Sequence, residues 1–97
     1  MSTQLIMVYH RRQLFDLFRT TEPDVVDLTE YQEVATLTVE ESDIERALET
    51  VFVRTQNIER PWREHAPCRS TSVGDVMIAD GVTWLVERIG FRQIGTR

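Results

Sequence analysis

The dipeptide Asp80-Gly81 constrains the fold more than any other feature of this chain. It lies between two short runs of apolar and β-branched residues, 75–79 and 82–88. Asp-Gly is preferred in the type I′ turn because both central residues of that turn need a positive φ. The sequence therefore predicts an antiparallel hairpin here, with the side chain of Trp84 in the core.

Three other segments predict strands. Residues 4–9 form a continuous apolar run, which is typical of a strand buried on both faces near the middle of a sheet. Residues 33–39 are rich in β-branched side chains and predict a half-buried strand with its apolar odd-numbered residues on one face. Gly90 permits a bend before residues 91–94, which predict a short final edge strand.

Two segments predict helices. Residues 42–45 match the capping box, in which a serine hydroxyl and a glutamate side chain each satisfy a free backbone N–H at a helix start. Apolar residues then recur at spacings of three and four from Ile44 to Phe52, so a helix is expected there. The same spacing over 14–18 predicts a second, shorter helix before the break at Pro23.

Length and composition favour one small domain. The chain has 97 residues, 41% of them hydrophobic, which suits a single core. We therefore predict a single α+β domain over residues 1–97, with a mixed or antiparallel sheet of four or five strands and two helices packed on one face. The longest apolar run, from Leu5 to Tyr9, is far shorter than the roughly 20 residues that a bilayer span needs. Cys68 is the only cysteine, so no internal disulfide can form, and this count fits a reducing cytoplasm. We therefore expect a soluble cytoplasmic protein, and we predict neither membrane association nor a cofactor.

Charge is distributed unevenly along the chain. Between Glu22 and Glu49 ten acidic residues face one basic residue, a net charge of −9, whereas seven basic and five acidic residues from Val51 to Arg97 give +2. An acidic surface attracts basic partners and accelerates their association. One prediction is therefore that the acidic half binds another protein by imitating nucleic-acid phosphates; the alternative is an ordinary solvated surface. The candidate residues of this acidic face are Glu40, Glu41, Glu45 and Glu49.

The stretch 55–74 shows no periodicity and predicts a long irregular loop across one end of the sheet. Arginines in and beside this loop, interleaved with Trp62, suggest a second function, the binding of single-stranded nucleic acid by phosphate contacts and base stacking. These arginines are Arg54, Arg60, Arg63 and Arg69. Glu59, Glu64 and the net charge of −5 for the chain argue against it.

The same loop contains the residue types of a small hydrolase or transferase. Cys68 or Ser70 would be the nucleophile beside His65 and Asp75, because such groups next to an imidazole and a carboxylate are typical of nucleophilic catalysis. His65, Cys68 and His10 are too few for a structural zinc site. No nucleophile elbow, phosphate-binding glycine loop or dinucleotide motif is present. Enzymatic activity therefore ranks third, and no metal or catalytic residue is predicted.

One order of residues is similar to that of a known family. It runs from Gln56-Asn57 through Trp62 to the string Arg-Ser-Thr-Ser-Val-Gly-Asp-Val at 69–76, and then to a Gly-Phe pair after the hairpin. In this respect the segment 52–94 resembles the YodL-like domain, which is associated with bacterial conjugative elements, plasmids and phages. That family has no agreed biochemical activity. The resemblance implies an accessory protein of a mobile genetic element and does not nominate catalysis.

The matched residues have two interpretations. In the structural one, Asn57 lies just past the helix and tolerates the left-handed conformation that closes helices, while Trp62 can fill the core from the loop. Arg69 pairs with a carboxylate, while the serines and the aspartate bond backbone N–H groups before the hairpin. In the other, the residues form a binding surface made of Gln56, Asn57, Trp62, Arg69, Ser70, Ser72 and Asp75. The leading prediction is thus a protein that binds another protein through the acidic face or the 55–74 loop.

Overall fold

The computed structural model describes residues 3–12, 24–64 and 66–96. The strands are β1 (Thr3–Arg11), β2 (Val25–Val26), β3 (Tyr31–Glu40), β4 (Val76–Ala79), β5 (Val82–Val86) and β6 (Phe91–Thr96), and the helix is α1 (Ile44–Arg54). They form one mixed sheet with the order β2-β6-β5-β4-β1-β3. Neighbouring strands are antiparallel except β2 and β6, which are parallel. The first strand of the chain therefore lies between β3 and β4.

The predicted numbers of strands and helices are wrong, although the mixed α+β character holds. The described residues form six strands rather than four or five, and one α-helix rather than two. The missed strand is β2, which has only two residues and is too short to leave an alternating pattern in the sequence. The helix predicted over 14–18 lies outside the described residues.

The hairpin prediction is confirmed. Strands β4 and β5 are antiparallel, and Ala79 is paired with Val82 across the turn. Asp80 has a φ of 50° and Gly81 a φ of 76°, the two positive values that a type I′ turn requires. Trp84 is half-buried and packs against the core below α1.

The prediction that β1 is buried on both faces is wrong. Its even-numbered residues Ile6, Val8 and His10 are buried, whereas Met7 is half-buried and Leu5 is 60% exposed. The buried residues face α1, which packs on that side of the sheet. A continuous apolar run therefore does not prove two-sided burial, because an apolar residue is tolerated at the surface of a strand.

A β-bulge in β3 changes which side chains face α1. Val8 is paired with Ala35, but the next residue of β1, Tyr9, is paired with Glu33, so Val34 is an extra residue. Beyond the bulge the alternation of faces is reversed. Tyr31 consequently lies on the face opposite α1, although its odd number would otherwise place it with Ala35.

Helix α1 begins one residue later than the capping box predicts. Asp43 is the N-cap, and its Oδ1 accepts hydrogen bonds from the backbone N–H groups of Glu45 and Arg46 at 3.0 and 3.3 Å. The predicted left-handed conformation of Asn57 is also wrong. Thr55 ends the helix, and among the described residues the positive φ nearest to that end is at Glu59.

Two apolar clusters lie on opposite faces of the sheet. The larger one is enclosed by α1, whose buried residues are Ala47, Leu48 and Val51. The smaller one contains the buried residues Val26, Tyr31, Val76 and Leu85. Both faces of the sheet are thus packed, and alternate residues of the same strand belong to opposite clusters.

Candidate functional site

The loop between α1 and β4 is tied together by side chains of the matched motif. Asn57 donates from Nδ2 to the carbonyl of Cys68 at 2.9 Å and accepts at Oδ1 from the N–H of Trp62 at 3.0 Å. The N–H of Asn57 donates to Ser70 Oγ at 2.8 Å. Trp62 donates from Nε1 to the carbonyl of Arg69 at 3.0 Å. The outgoing and returning parts of the loop are therefore fastened to each other.

The same loop is fastened to the end of α1. Gln56 donates from Nε2 to the carbonyls of Phe52 and Thr71 at 3.0 and 2.9 Å. The N–H of Thr71 donates to the carbonyl of Thr55 at 3.1 Å, and both threonines are buried. Gln56 thus joins the last turn of the helix to the returning part of the loop.

Arg69 and Asp75 form the strongest polar contact of the loop. Arg69 Nη1 and Nη2 donate to Asp75 Oδ2 and Oδ1 at 2.6 and 2.7 Å, a bidentate pair, so the predicted pairing of Arg69 with a carboxylate is confirmed. The buried carboxylate also accepts the N–H groups of Ser72 at 2.8 Å and Arg11 at 2.9 Å. Its hydrogen bonds to Arg69 raise the pKa of that guanidinium. Asp75 thereby connects the loop to the end of β1.

His10 is the centre of a buried polar cluster under the loop. Its Nε2 lies 2.8 Å from Thr71 Oγ1 and 3.8 Å from Asp75 Oδ2. Its Nδ1 lies 3.5 Å from Cys68 Sγ. The ring of Trp62 meets the imidazole edge-on, with ring centroids 6.3 Å apart. The two nitrogens of His10 therefore contact a hydroxyl on one side and a thiol on the other.

The surroundings of His10 favour its neutral form. Burial lowers the pKa of the imidazole below its ordinary value, because the charged ring would lose its hydration. The carboxylate of Asp75 acts in the opposite direction, while the charges of Arg69 and Arg63 lower the pKa further. A neutral imidazole has one nitrogen that can accept a proton.

The structure brings all seven candidate binding residues into this one network. Asn57 is exposed, Asp75 is buried and the other five are half-buried. Sequence reasoning missed the contribution of His10, Thr55 and Thr71. His10 is separated from Cys68 by 58 positions along the chain, so no local pattern could have shown their contact.

The four candidate residues of the acidic face are divided between two places. Glu40 and Glu41 lie at the end of β3, where Glu41 Oε1 accepts the N–H of Asp43 at 3.2 Å. Glu45 and Glu49 are exposed on α1, one turn apart. The helical pair borders a groove.

That groove lies between α1 and the turn that joins β5 to β6, and has a volume of about 560 Å³. Phe52 and Phe91 meet edge-to-face in it, with ring centroids 6.5 Å apart and an interplanar angle of 72°. The side chain of Ile89 is 92% exposed at the turn. We call this surface the acidic groove; it is lined by Glu45, Glu49, Phe52, Val86, Glu87, Arg88, Ile89, Gly90 and Phe91.

The residues of the two lower-ranked predictions differ in their surroundings. Arg54 and Arg60 are exposed, Arg63 is half-buried, and Arg69 is held by Asp75. Cys68 contacts His10, while His65 lies outside the described residues. Within the described part of the chain no group of three or more histidine, cysteine or acidic side chains is placed to hold a metal ion.

Comparison with protein-family models, curated proteins and solved structures finds no match. None of the described helices is long and apolar enough to cross a membrane.

Proposed function

We propose that this chain is an accessory interaction protein that binds another protein through the acidic groove. Its ligand is an extended segment with two basic side chains and one bulky aliphatic side chain. The observation that carries the proposal is the position of the exposed Ile89 beside the carboxylates of Glu45 and Glu49.

The apolar part of the groove suits one bulky side chain of a partner. The rings of Phe52 and Phe91 are half-buried and leave apolar surface in the groove. Ile89 exposes almost all of its side chain beside them. Exposed apolar surface rimmed by charged groups is typical of protein-binding sites, where a central apolar contact contributes much of the affinity.

The charged part of the groove selects basic ligands. Three carboxylates, those of Glu45, Glu49 and Glu87, face one guanidinium, that of Arg88. Glu87 also bonds Arg92, whereas Glu45 and Glu49 make no ion pair with any described side chain. The two helical carboxylates are therefore available to a partner cation.

Their spacing favours an extended ligand. Residues four apart on a helix are separated by about 6 Å along its axis, and alternate residues of an extended strand by about 6.6 Å. Two basic residues at i and i+2 of an extended segment would therefore lie opposite Glu45 and Glu49. A residue at i+4 is on the same side of that segment and would reach the apolar part of the groove.

The resemblance to the YodL-like domain supports an accessory role in a mobile genetic element. The loop residues that carry this resemblance are occupied by internal hydrogen bonds, whereas its Gly-Phe pair, Gly90-Phe91, lines the acidic groove. We therefore assign scaffold stability to the loop and binding to the acidic groove.

A defined peptide tests the proposal directly. The peptide Arg-Ser-Arg-Ser-Leu is titrated into ¹⁵N-labelled protein, with Asp-Ser-Asp-Ser-Leu as the control. We expect shifts in the amide signals of Glu45, Glu49 and Ile89 with the basic peptide alone, and weaker binding as salt is raised. Shifts confined to the 55–74 loop, or equal shifts with both peptides, would overturn the assignment of the groove.

Charge reversal identifies the natural partner. A photo-crosslinking amino acid replaces Ile89 in one variant and the half-exposed Val73, outside the groove, in another. The capture from nuclease-treated lysate is then repeated with the double variant Glu45→Arg, Glu49→Arg. The control is a double variant that reverses two exposed acidic residues outside the groove, Glu30→Arg and Glu64→Arg. We expect a protein to be crosslinked at position 89. This product should be lost with the first pair of substitutions and kept with the second. Capture that occurs only from lysate without nuclease treatment would instead support nucleic-acid binding by the arginine-bearing loop.

A further inference from the structure

Cys68 occupies a position that a nucleophilic thiol requires. It is the only cysteine of the chain and is half-buried at the edge of the loop. Its Sγ is 3.5 Å from His10 Nδ1, within the range of a hydrogen bond that involves sulfur. Sequence reasoning paired Cys68 with His65, but the imidazole that the structure places against this thiol comes from β1.

The protonation of His10 Nε2 determines whether Nδ1 can accept a proton. If Nε2 carries the hydrogen, it donates to Thr71 Oγ1 at 2.8 Å, and the lone pair of Nδ1 faces the thiol. Asp75 Oδ2, 3.8 Å from Nε2, would stabilise the imidazolium that forms when Nδ1 takes a proton. A thiol, an imidazole and a carboxylate therefore stand in the order that activates a nucleophile.

The protonation state of His10 agrees with a role as base. Burial keeps the pKa of the imidazole below its ordinary value, so the ring is neutral and can accept a proton at neutral pH. The charged groups that act on it are Asp75, which favours the imidazolium, and Arg69 and Arg63, which oppose it.

The thiol is also accessible from outside. Cys68 borders an open depression of about 460 Å³ on the outer side of the loop, and its other lining residues are Asn57, Glu59, Arg60, Pro61 and Pro67. The side-chain amide of Asn57 already donates to the carbonyl of Cys68. This surface admits a small electrophile without providing a cage for it.

We propose that Cys68 and His10 form a nucleophilic pair that exchanges with low-molecular-weight disulfides. The thiol proton moves to His10 Nδ1 while Cys68 Sγ attacks one sulfur of the disulfide, whose S–S bond breaks. Cys68 is oxidised to a mixed disulfide, and the released thiolate takes the proton from His10 and leaves as a reduced thiol. An open depression suits this reaction, because disulfide exchange develops no oxyanion that would need a cage of donors. Since the chain has no second cysteine, an external thiol must restore Cys68.

The rate at which the native protein reacts with the aromatic disulfide DTNB at pH 7 tests the proposal. Native protein is compared with the same protein unfolded in urea, and with a Cys68→Ser, Thr38→Cys variant whose single thiol lies at an exposed position of β3. We expect the native thiol to react at least about five times faster than either reference, because His10 accepts the thiol proton as Cys68 Sγ attacks. A native rate equal to or below that of the unfolded chain contradicts the proposal.

Two further variants and a control locate the base. His10→Asn removes the proton acceptor and is expected to lower the native rate to that of the exposed reference thiol. Thr71→Val removes the hydroxyl that orients the imidazole, and a smaller loss is expected. His65→Asn is the matched control and should leave the rate unchanged. If His65→Asn slows the reaction and His10→Asn does not, the assignment of His10 is wrong.

Discussion

Asp75 is the buried carboxylate that joins the loop to the end of β1. It is 1% exposed and accepts four hydrogen bonds, two from Arg69 and one each from the N–H groups of Ser72 and Arg11. Burial of a carboxylate is tolerated when all of its oxygens are paired. Asp75 therefore holds the end of the loop against the end of β1.

Asp75→Asn should destabilise the protein markedly. The amide keeps the shape of the carboxylate but removes its charge and places an NH₂ donor where an oxygen accepts two hydrogen bonds. Because Arg69 keeps part of its solvent contact, we expect a loss of about 2 to 3 kcal/mol in the free energy of unfolding, below the full cost of breaking a buried pair. Urea denaturation measures this. The control is Asp24→Asn, which weakens the solvent-exposed ion pair with Arg92; a loss as large as that of Asp75→Asn would contradict the argument.

His10 should make stability depend on pH in a defined direction. The pKa of its imidazole in the folded state lies below the ordinary value of 6.5, mainly because it is buried. Above pH 6.5 the imidazole of His10 is mostly neutral in both the folded and the unfolded chain. As the pH falls below it, the unfolded chain takes up the proton first, so this contribution to stability is present above about pH 6.5 and is lost progressively as the pH falls below it. Urea denaturation at several pH values should show the loss, and His10→Asn should abolish it.

The contacts of individual residues were predictable only where partners are close in the chain. The pairing of Arg69 with a carboxylate followed from residue types six positions apart. The contacts of His10 did not, because its partners lie 52 to 65 positions away and meet it only when β1 and the loop come together. Local sequence patterns contain no information on such contacts.

At the scale of elements, the bulge at Val34 determines the composition of both clusters. It turns Tyr31 to the face opposite α1, where Tyr31 is 5% exposed and its hydroxyl donates to the carbonyl of Gly74 at 2.8 Å. A strand without the extra residue would place this aromatic ring on the other face. The bulge thus links the edge strand to the loop before β4.

Deletion of Val34 should therefore cost much more than its truncation. The deletion reverses the faces of the residues before it, so Tyr31 leaves its cluster and the bond to Gly74 is lost. We expect a loss of about 3 kcal/mol or more, the usual cost of removing a buried aromatic side chain. Val34→Ala keeps the residue count and is the control. Equal losses for the two variants, measured by urea denaturation, would show that the bulge does not determine the face of Tyr31.

Elements were predictable where their pattern was long enough. The hairpin and α1 were found because a turn dipeptide and three turns of apolar spacing mark them. The N-cap was misplaced by one residue because Ser42 and Asp43 are both good capping residues. Strand β2 has two residues and depends on its pairing with β6, which no property of residues 25 and 26 foretells.

At the scale of the whole molecule, the central strands bind the two clusters into one unit. In β4, Val76 belongs to the smaller cluster and the next residue, Met77, to the larger one. In β5, Leu85 and Val86 are divided in the same way. Neither cluster can be lost without removing strands that the other needs.

Unfolding should therefore be a single transition whichever cluster is weakened. Leu48→Ala in the larger cluster and Leu85→Ala in the smaller one should each cost about 2 to 5 kcal/mol, because both side chains are fully buried. Tryptophan fluorescence and far-UV circular dichroism should change at the same urea concentration in each variant. Separate transitions in Leu85→Ala would mean that the clusters unfold independently.

The position of β1 also matters while the chain is being made on the ribosome. One side of β1 pairs with β3, which is translated early, but the other side pairs with residues 76–79, which emerge late. Until then the nascent chain presents an unpaired strand edge beside the apolar side chains of Ile6 and Val8. Such edges recruit other chains, so slow translation or premature termination within the loop should favour aggregation.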